Sequence, residues 1–358
     1  MGHSLPAHPV RGRDDLAPVT VPGLSGPLPV SALKGETDAR TGWDVLASRN
    51  LSPFQGRAIE VAVLSDHLKR ASTHAQVALL SGLPGIGKSR LAHEFQRRLP
   101  PGTRTLRLGL TAHDVDFTYR LPEMLVRELR SGRAQNGLPD LPEALPDLVR
   151  TGVSVLSGDG RTGGDWTALG PSQQIHCIVE TIGYILSDIA QDDMLVLVLE
   201  DLHWIDSASR EVLAQLVGTL GAARLLLLCT ARPEFQPDWS SRSHVHVVML
   251  DELEQSQAEA LIAAHIGDAP EHADIRRALA SHAGRIPLFI EEVLRELQAK
   301  GDLIAGYDGN IGVCNCVGRE ANDIASGKSV EICFAPPPRR GTLFHTGSST
   351  GRPSARQP

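Results

Sequence analysis

Residues 81–90 read SGLPGIGKSR and set Gly82, Gly87, Lys88 and Ser89 at the spacing G-x-x-x-x-G-K-S. That pattern suits a bound phosphate. Glycines let successive backbone N–H groups turn inward around an anion. Lys88 supplies a cation for the β- and γ-phosphates, and the Ser89 hydroxyl suits the shell of a Mg²⁺ ion. A helix beginning at this point aims its positive end at the same anion. Pro84, Gly85, Ile86 and Arg90 complete the stretch and count with Gly82, Gly87, Lys88 and Ser89 as nucleotide contacts. A second Gly-Lys-Ser at 327–329 has Asn322 in place of the first glycine and no strand leading in, so it reads as coincidence.

A phosphate loop needs a carboxylate across the sheet to serve the metal and the attacking water. Residues 195–206, LVLVLEDLHWID, provide two at the end of an aliphatic run. The expected place is the C-terminal end of a neighbouring parallel strand, where such sheets bind ligands. Glu200 is the expected metal-shell acid and Asp201 the acid that orients or deprotonates water, although either could take either role. Asp206 and Ser207 read as caps of the next helix. His203 and Trp204 read as a packed, hydrogen-bonded pair. The strand at 224–230 runs on to Thr230 and Arg232, where a polar or cationic side chain can reach a γ-phosphate.

The elements that must hold these residues alternate. Aliphatic runs at 76–80, 103–110, 195–199, 224–230 and 245–250 read as strands. Helical periodicity marks 57–70, 89–99, 122–130, 172–190, 207–220, 254–266, 274–282 and 288–300. Strands apolar throughout, alternating with helices, predict a mainly parallel α/β sheet covered on both faces. The fold class expected is a three-layer P-loop sandwich followed by a small helical lid. The expected division is a flexible lead and linker over 1–50, a nucleotide-binding domain over 51–250, the lid over 251–305 and a disordered tail over 306–358. The Gly- and Pro-rich segment 131–171 reads as an exposed insertion with one short helix.

Bulk composition narrows the class. The 358 residues are 41% hydrophobic with a net charge of −7, enough for a core and unlike a chain-wide nucleic-acid surface. The five cysteines, an odd number with three crowded near the C-terminus, read as free thiols rather than a disulfide framework, and Cys314-Asn-Cys316 as no metal site. No segment reads as a signal peptide or membrane span, so a cytoplasmic setting is expected.

Taken together the motifs resemble the signal-transducing ATPases with numerous domains, within the AAA-related P-loop class. The closest resemblance is to the ATPase modules of bacterial LuxR-type regulators and of proteins carrying class III cyclase domains. LSPFQGRAIEV, SGLPGIGKSRL, LVLVLEDLHWIDSAS, LLLLCTARPE and AGRIPLFIEEVLRELQAKGDLI carry the likeness over residues 51–305. The resemblance implies that Arg57 lies at the nucleotide, that Arg232 senses the γ-phosphate, and that Pro287 packs near the base. It also implies ATP rather than GTP. The segment LPVSALKGETDARTGWDVLASRN resembles the end of a cyclase domain and its linker, but the cyclase core is absent and no cyclase activity is assigned. Members of the family continue into a winged helix and a helical-repeat array; residues 308–358 resemble neither, which reads as a truncated or frame-shifted relative.

The expected function is an ATP- and Mg²⁺-dependent switch module that hydrolyses slowly, with Lys88, Glu200 and Asp201 as its catalytic residues and Ser89 and Glu200 on the metal. The rival readings are a nucleotide-dependent interaction module without turnover and an origin-recognition-like ATPase that loads onto DNA. Expected partners are ATP or ADP and a protein partner or fused effector domain, with a nucleotide-dependent oligomer in reach. Neither nucleic acid nor membrane is an expected partner of this chain alone.

Overall fold

A computed structural model of the chain describes residues 13–19, 27–33, 51–130, 145–158, 164–191, 193–221, 223–300, 303–305 and 311–313. Five strands form one parallel sheet: β3 (Gln76–Gly82), β4 (Arg104–Gly109), β5 (Leu195–Glu200), β6 (Leu225–Ala231) and β7 (Val245–Leu250). Their spatial order is β4-β5-β6-β3-β7. Every residue of β3, β5 and β6 is buried, which is why these strands read as unbroken aliphatic runs.

Side chains alternate between the two faces. Leu195, Leu197 and Leu199 pack into one cluster; Val196 and Val198 pack into the other. The first cluster is closed by α3 (Arg120–Arg130), α4 (Asp147–Leu156), α6 (Pro171–Ile189) and α7 (Ser207–Thr219), with the short α5 (Gly164–Ala168) supplying Trp166. The second is closed by α1 (Ala58–Ala71) and α2 (Lys88–Gln96) through Leu64, Leu91 and Phe95. The result is the three-layer α/β sandwich expected. Downstream, α8 (Gln255–Ile266), α9 (Ala273–His282) and α10 (Pro287–Lys300) surround a separate small core that includes Leu261, Ile262, Ile290 and Leu294. No helix among the described residues is long and apolar enough to cross a membrane.

Four expectations need correction. The acid-bearing strand β5 is not hydrogen-bonded to β3; β6 lies between them. Strand patterning alone says which segments pair with something, not in which order. Within the lead expected to be flexible, β1 (Arg13–Val19) and β2 (Leu28–Leu33) pair antiparallel. A ladder of backbone hydrogen bonds needs no apolar periodicity, so nothing in the composition announced it.

The segment 131–171 is more than an exposed insertion, because α4 buries Val149, Gly152, Val155 and Leu156. Gly152 lies close against α6, since a Cβ there would lie 2.0 Å from Thr181 Oγ1. Finally, β9 (Ile311–Val313) pairs with β8 (Leu303–Ala305) inside what was expected to be a disordered tail. Cys177 and Cys229 are free buried thiols; Cys314, Cys316 and Cys333 lie outside the described residues, as does the Gly-Lys-Ser at 327–329.

Candidate functional site

The site is assembled where the parallel strands end. β3 runs into the loop from Gly82, and Gly87 ends it with φ at +100°, a conformation that favours glycine. No atom stands within 4 Å of where a Gly87 Cβ would be, so the loop is open there. Lys88 opens α2 and is buried. Its Nζ donates to the carbonyls of Gly82 at 2.7 Å and Leu83 at 2.9 Å, which folds the side chain back across the loop. Burial lowers its pKa, against the pull of Asp201.

Arg57 and Leu288 reach the loop itself, and Arg90 holds the start of the helix behind it. The Arg57 guanidinium donates to the carbonyls of Ile86 and Asp251 and pairs with Glu60 at 3.0 Å. It therefore ties the loop to the end of β7 through Nη2, while Nη1 is held by Glu60. Arg90 is held likewise, by Glu94 at 2.9 Å and the Ser52 carbonyl at 3.0 Å. From the helical segment, Pro287 occupies the first turn of α10, and the next N–H, that of Leu288, donates to the Gly85 carbonyl at 3.2 Å.

At the end of β5 the two acids part company. Glu200 has the same parity as Val196 and Val198 and is 3% exposed. Arg107 of β4 meets it as a fork: Nε donates to Oε2 at 3.0 Å, and Nη2 lies 2.8 Å from Oε1 as an ion pair without hydrogen-bond alignment. Arg107 Nη1 also donates to Gln96 Oε1 at 2.9 Å, linking the acid to α2. Sequence reasoning missed Arg107. The signal was present in TLRLG, where a charge stands between two leucines and so faces the layer opposite theirs.

Asp201 leaves the strand in the left-handed region, φ +58°, and its N–H donates to the buried Thr230 Oγ1 at 3.0 Å. Asp tolerates that conformation better than most residues. Desolvation, then the charge of Glu200, pushes its pKa up to about 6 against the opposing pull of Lys88 and Arg232. The site's charges thus act on one another: Lys88 from β3's loop, Asp201 from β5, Arg232 from just beyond β6.

The turn Leu202–Trp204 follows. Arg232 lies with its Cζ 5.4 Å from the Trp204 ring centre, a cation–π contact, and 3.9 Å from Glu234. His203 and Trp204 pack with ring centres 4.9 Å apart. The expected hydrogen bonding of this pair is not there, since neither His203 nitrogen has a hydrogen-bond partner among the described residues. Asp206 caps α7 as expected, accepting from Ser209 N at 2.8 Å, and also accepts from Tyr119 N and Arg120 N, so one carboxylate starts two helices. Ser207 is the first helical residue rather than a cap.

Residues 53–228 match the family model described as an AAA ATPase domain. This segment is similar to AAA ATPase domains. Its parallel sheet and phosphate loop are those of a nucleotide-binding P-loop module. Among curated proteins, an uncharacterized protein of Rhizobium meliloti (strain 1021) is 28% identical over 245 residues, 61% of this chain and 22% of that protein. The chain therefore spans about a fifth of the length of the curated relative it matches. Two solved structures are also similar. One is a signal transduction ATPase with numerous domains and a tetratricopeptide repeat sensor from Pyrococcus horikoshii (17% identity, TM-score 0.42, 68% of this chain and 30% of that one). The other is the ORC2 protein of Aeropyrum pernix in ADPNP–ADP complexes (14%, TM-score 0.44, 79% and 72%).

The residues of this site fit a triphosphate with a divalent cation. An open glycine turn, a buried ammonium, a hydroxyl at the helix start and two acids at a strand end form a complementary donor and acceptor set.

Proposed function

We propose that the chain is the ATP-driven switch module of a regulatory protein and that it hydrolyses ATP slowly. The observation that carries this reading is the convergence of Lys88, Asp201 and Arg232 at the ends of β3, β5 and β6, where Lys88 and Asp201 act on each other and the charge of Arg232 acts on both. The regulatory role rests on the likeness of the motifs to those of signalling ATPases. A protein partner or fused effector domain, and a nucleotide-dependent oligomer, belong to the same reading.

In this scheme the glycine turn and Lys88 bind and neutralise the β- and γ-phosphates, and Pro287 at the start of α10 borders the base. Ser89 and Glu200 would hold Mg²⁺, which supplies charge neutralisation between the phosphates when bound. Asp201, with its pKa near 6, is ionised at neutral pH yet basic enough to accept a proton. Water oxygen bonds to the γ-phosphorus, the bond to the β–γ bridging oxygen breaks, ADP leaves, and the water proton passes to Asp201. Arg232, propped on Trp204, faces the γ-phosphate and distinguishes ATP from ADP. Arg57 acts on the loop's shape through the Ile86 carbonyl it holds, and Arg90 ties the start of α2 to the Ser52 carbonyl.

Binding of labelled ATP to Lys88→Ala tests the reading. Affinity should fall by about tenfold or more; an unchanged affinity refutes it. A second reading, a nucleotide-dependent interaction module without turnover, is favoured by the grip of Arg107 on Glu200. Single-turnover phosphate release decides between them, with Asp201→Asn as the control for background.

A further inference from the structure

The turn after the acids carries a group that the scheme above leaves unused. The His203 side chain is 8% exposed, and neither ring nitrogen has a hydrogen-bond partner among the described residues. Nearly all buried polar groups in native proteins are paired, so an orphaned imidazole calls for an explanation. Its neighbours are the functional residues themselves. Nδ1 lies 3.9 Å from Asp201 Oδ1, and the ring packs against the same Trp204 that supports Arg232. Burial first, then the charges of Arg232 and Lys88, set against Glu234, push its pKa down to about 4 and keep the imidazole neutral. A neutral imidazole offers one N–H donor and one acceptor.

The gap to Asp201 is too long for a hydrogen bond as it stands. It can close from the Asp201 side. That backbone is pinned by the Thr230 hydroxyl and by the bond from Trp204 N to the Asp201 carbonyl, whereas the carboxylate is 44% exposed and free to turn. Contacts of this kind are often long before substrate binds and tighten afterwards.

We propose that His203 is a positioning residue for Asp201: with nucleotide in the site, its Nδ1–H donates to Asp201 Oδ1 and turns Oδ2 toward the attacking water. The inference rests on the ATPase reading of the same site. It gives the His-Trp pair one task with two parts. Trp204 keeps the imidazole and Arg232 in register, and His203 passes that register to the acid, as the third group of a triad orients its base.

The test uses the full chain and three variants. Asn sets an amide N–H close to the Nδ1 position, Gln sets one close to Nε2, and Phe fills the ring's volume with neither. His203→Phe should slow single-turnover phosphate release by roughly tenfold or more, with ATP affinity within about twofold of the parent. His203→Asn should recover to within about threefold of the parent rate, and His203→Gln should stay with Phe. His203→Phe should cost nothing further in an Asp201→Asn background.

A readout independent of turnover comes from long-range ¹H–¹⁵N spectra of protein labelled with [¹⁵N]histidine and loaded with Mg²⁺ and a non-hydrolysable ATP analogue. His203 should hold its proton on Nδ1, and Asp201→Ala should move it to Nε2. A parental rate in His203→Phe, no recovery in His203→Asn relative to His203→Gln, or a tautomer indifferent to Asp201→Ala each overturns the proposal. If His203→Phe fails to fold, the Asn and Gln pair decides. If the parent binds nucleotide but releases no phosphate, hydrolysis falls, while the tautomer still tells whether His203 donates to Asp201.

Discussion

Replacing Arg107 by methionine should destabilise the nucleotide-binding domain by about 3 kcal/mol. The size follows from the burial of the pair: Glu200 is 3% exposed and Arg107 10%. Methionine keeps most of the hydrophobic stem and removes the fork, leaving a carboxylate buried at the end of β5 without its countercharge. Breaking a buried pair from one side costs about 3–5 kcal/mol. The lower end applies because a tenth of Arg107 is exposed, so water reaches the gap. For a domain of this size that is a fall of roughly 6–12 °C in the melting temperature. Urea titration followed by circular dichroism would measure it as a lower midpoint at constant slope. The double variant Arg107→Met, Glu200→Gln should regain at least about half the loss, because no buried charge remains. Mg²⁺ and ATP should stabilise Arg107→Met more than the parent, the ion taking the place of the lost cation. A loss under about 1 kcal/mol, or a double variant that loses the sum of the singles, would refute the account.

Two further predictions concern the acid and the insertion. Asp201, with its pKa raised to about 6, holds its proton more tightly folded than unfolded. Its stabilising contribution is therefore complete below the ordinary carboxylate range and is lost as pH climbs through about 6, while the proton acceptance required of it fails below that point. A profile of kcat/KM against pH should bend near 6; a profile flat from pH 5 to 7 would remove Asp201 from the role. Gly152→Ala should destabilise by about 1–3 kcal/mol through its collision with Thr181, outweighing the gain of about 1 kcal/mol in helix propensity. Gly152→Ala with Thr181→Ala should recover most of it; an unchanged melting temperature in the single variant would mean that α4 does not dock on α6.

Sheet and loop were legible because their patterns are local. An unbroken aliphatic run such as LLLLC must be buried on both faces, and G-x-x-x-x-G-K-S has one backbone shape that satisfies its glycines. The order of strands was not legible, because β5 and β6 are alike in composition and their places are settled only by the helices that connect them. Arg107 was missed for a related reason: its partner lies 93 positions away, and a single sequence marks no such pairs. The β1–β2 ladder and α4 were hidden by Gly and Pro, which lower helix and strand propensity without preventing pairing or docking. For His203, sequence identified a residue without a task, and burial without a partner supplied one.

The position of β6 between β3 and β5 has a dimensional consequence. Strands in a sheet are spaced by about 4.8 Å, so the phosphate loop and the acids spring from chains separated by about 10 Å. That width is set by peptide hydrogen bonds and is nearly independent of side chains. β6 is in this sense a ruler. Its residues can vary so long as they stay apolar, but the gap it keeps is fixed, and in the proposed scheme a gap of that width would let a terminal phosphate and a water molecule lie in line between the two chains. Arg232 follows directly from the end of the ruler itself, between the two chains, which is the place the proposed scheme requires of a group that reads the gap.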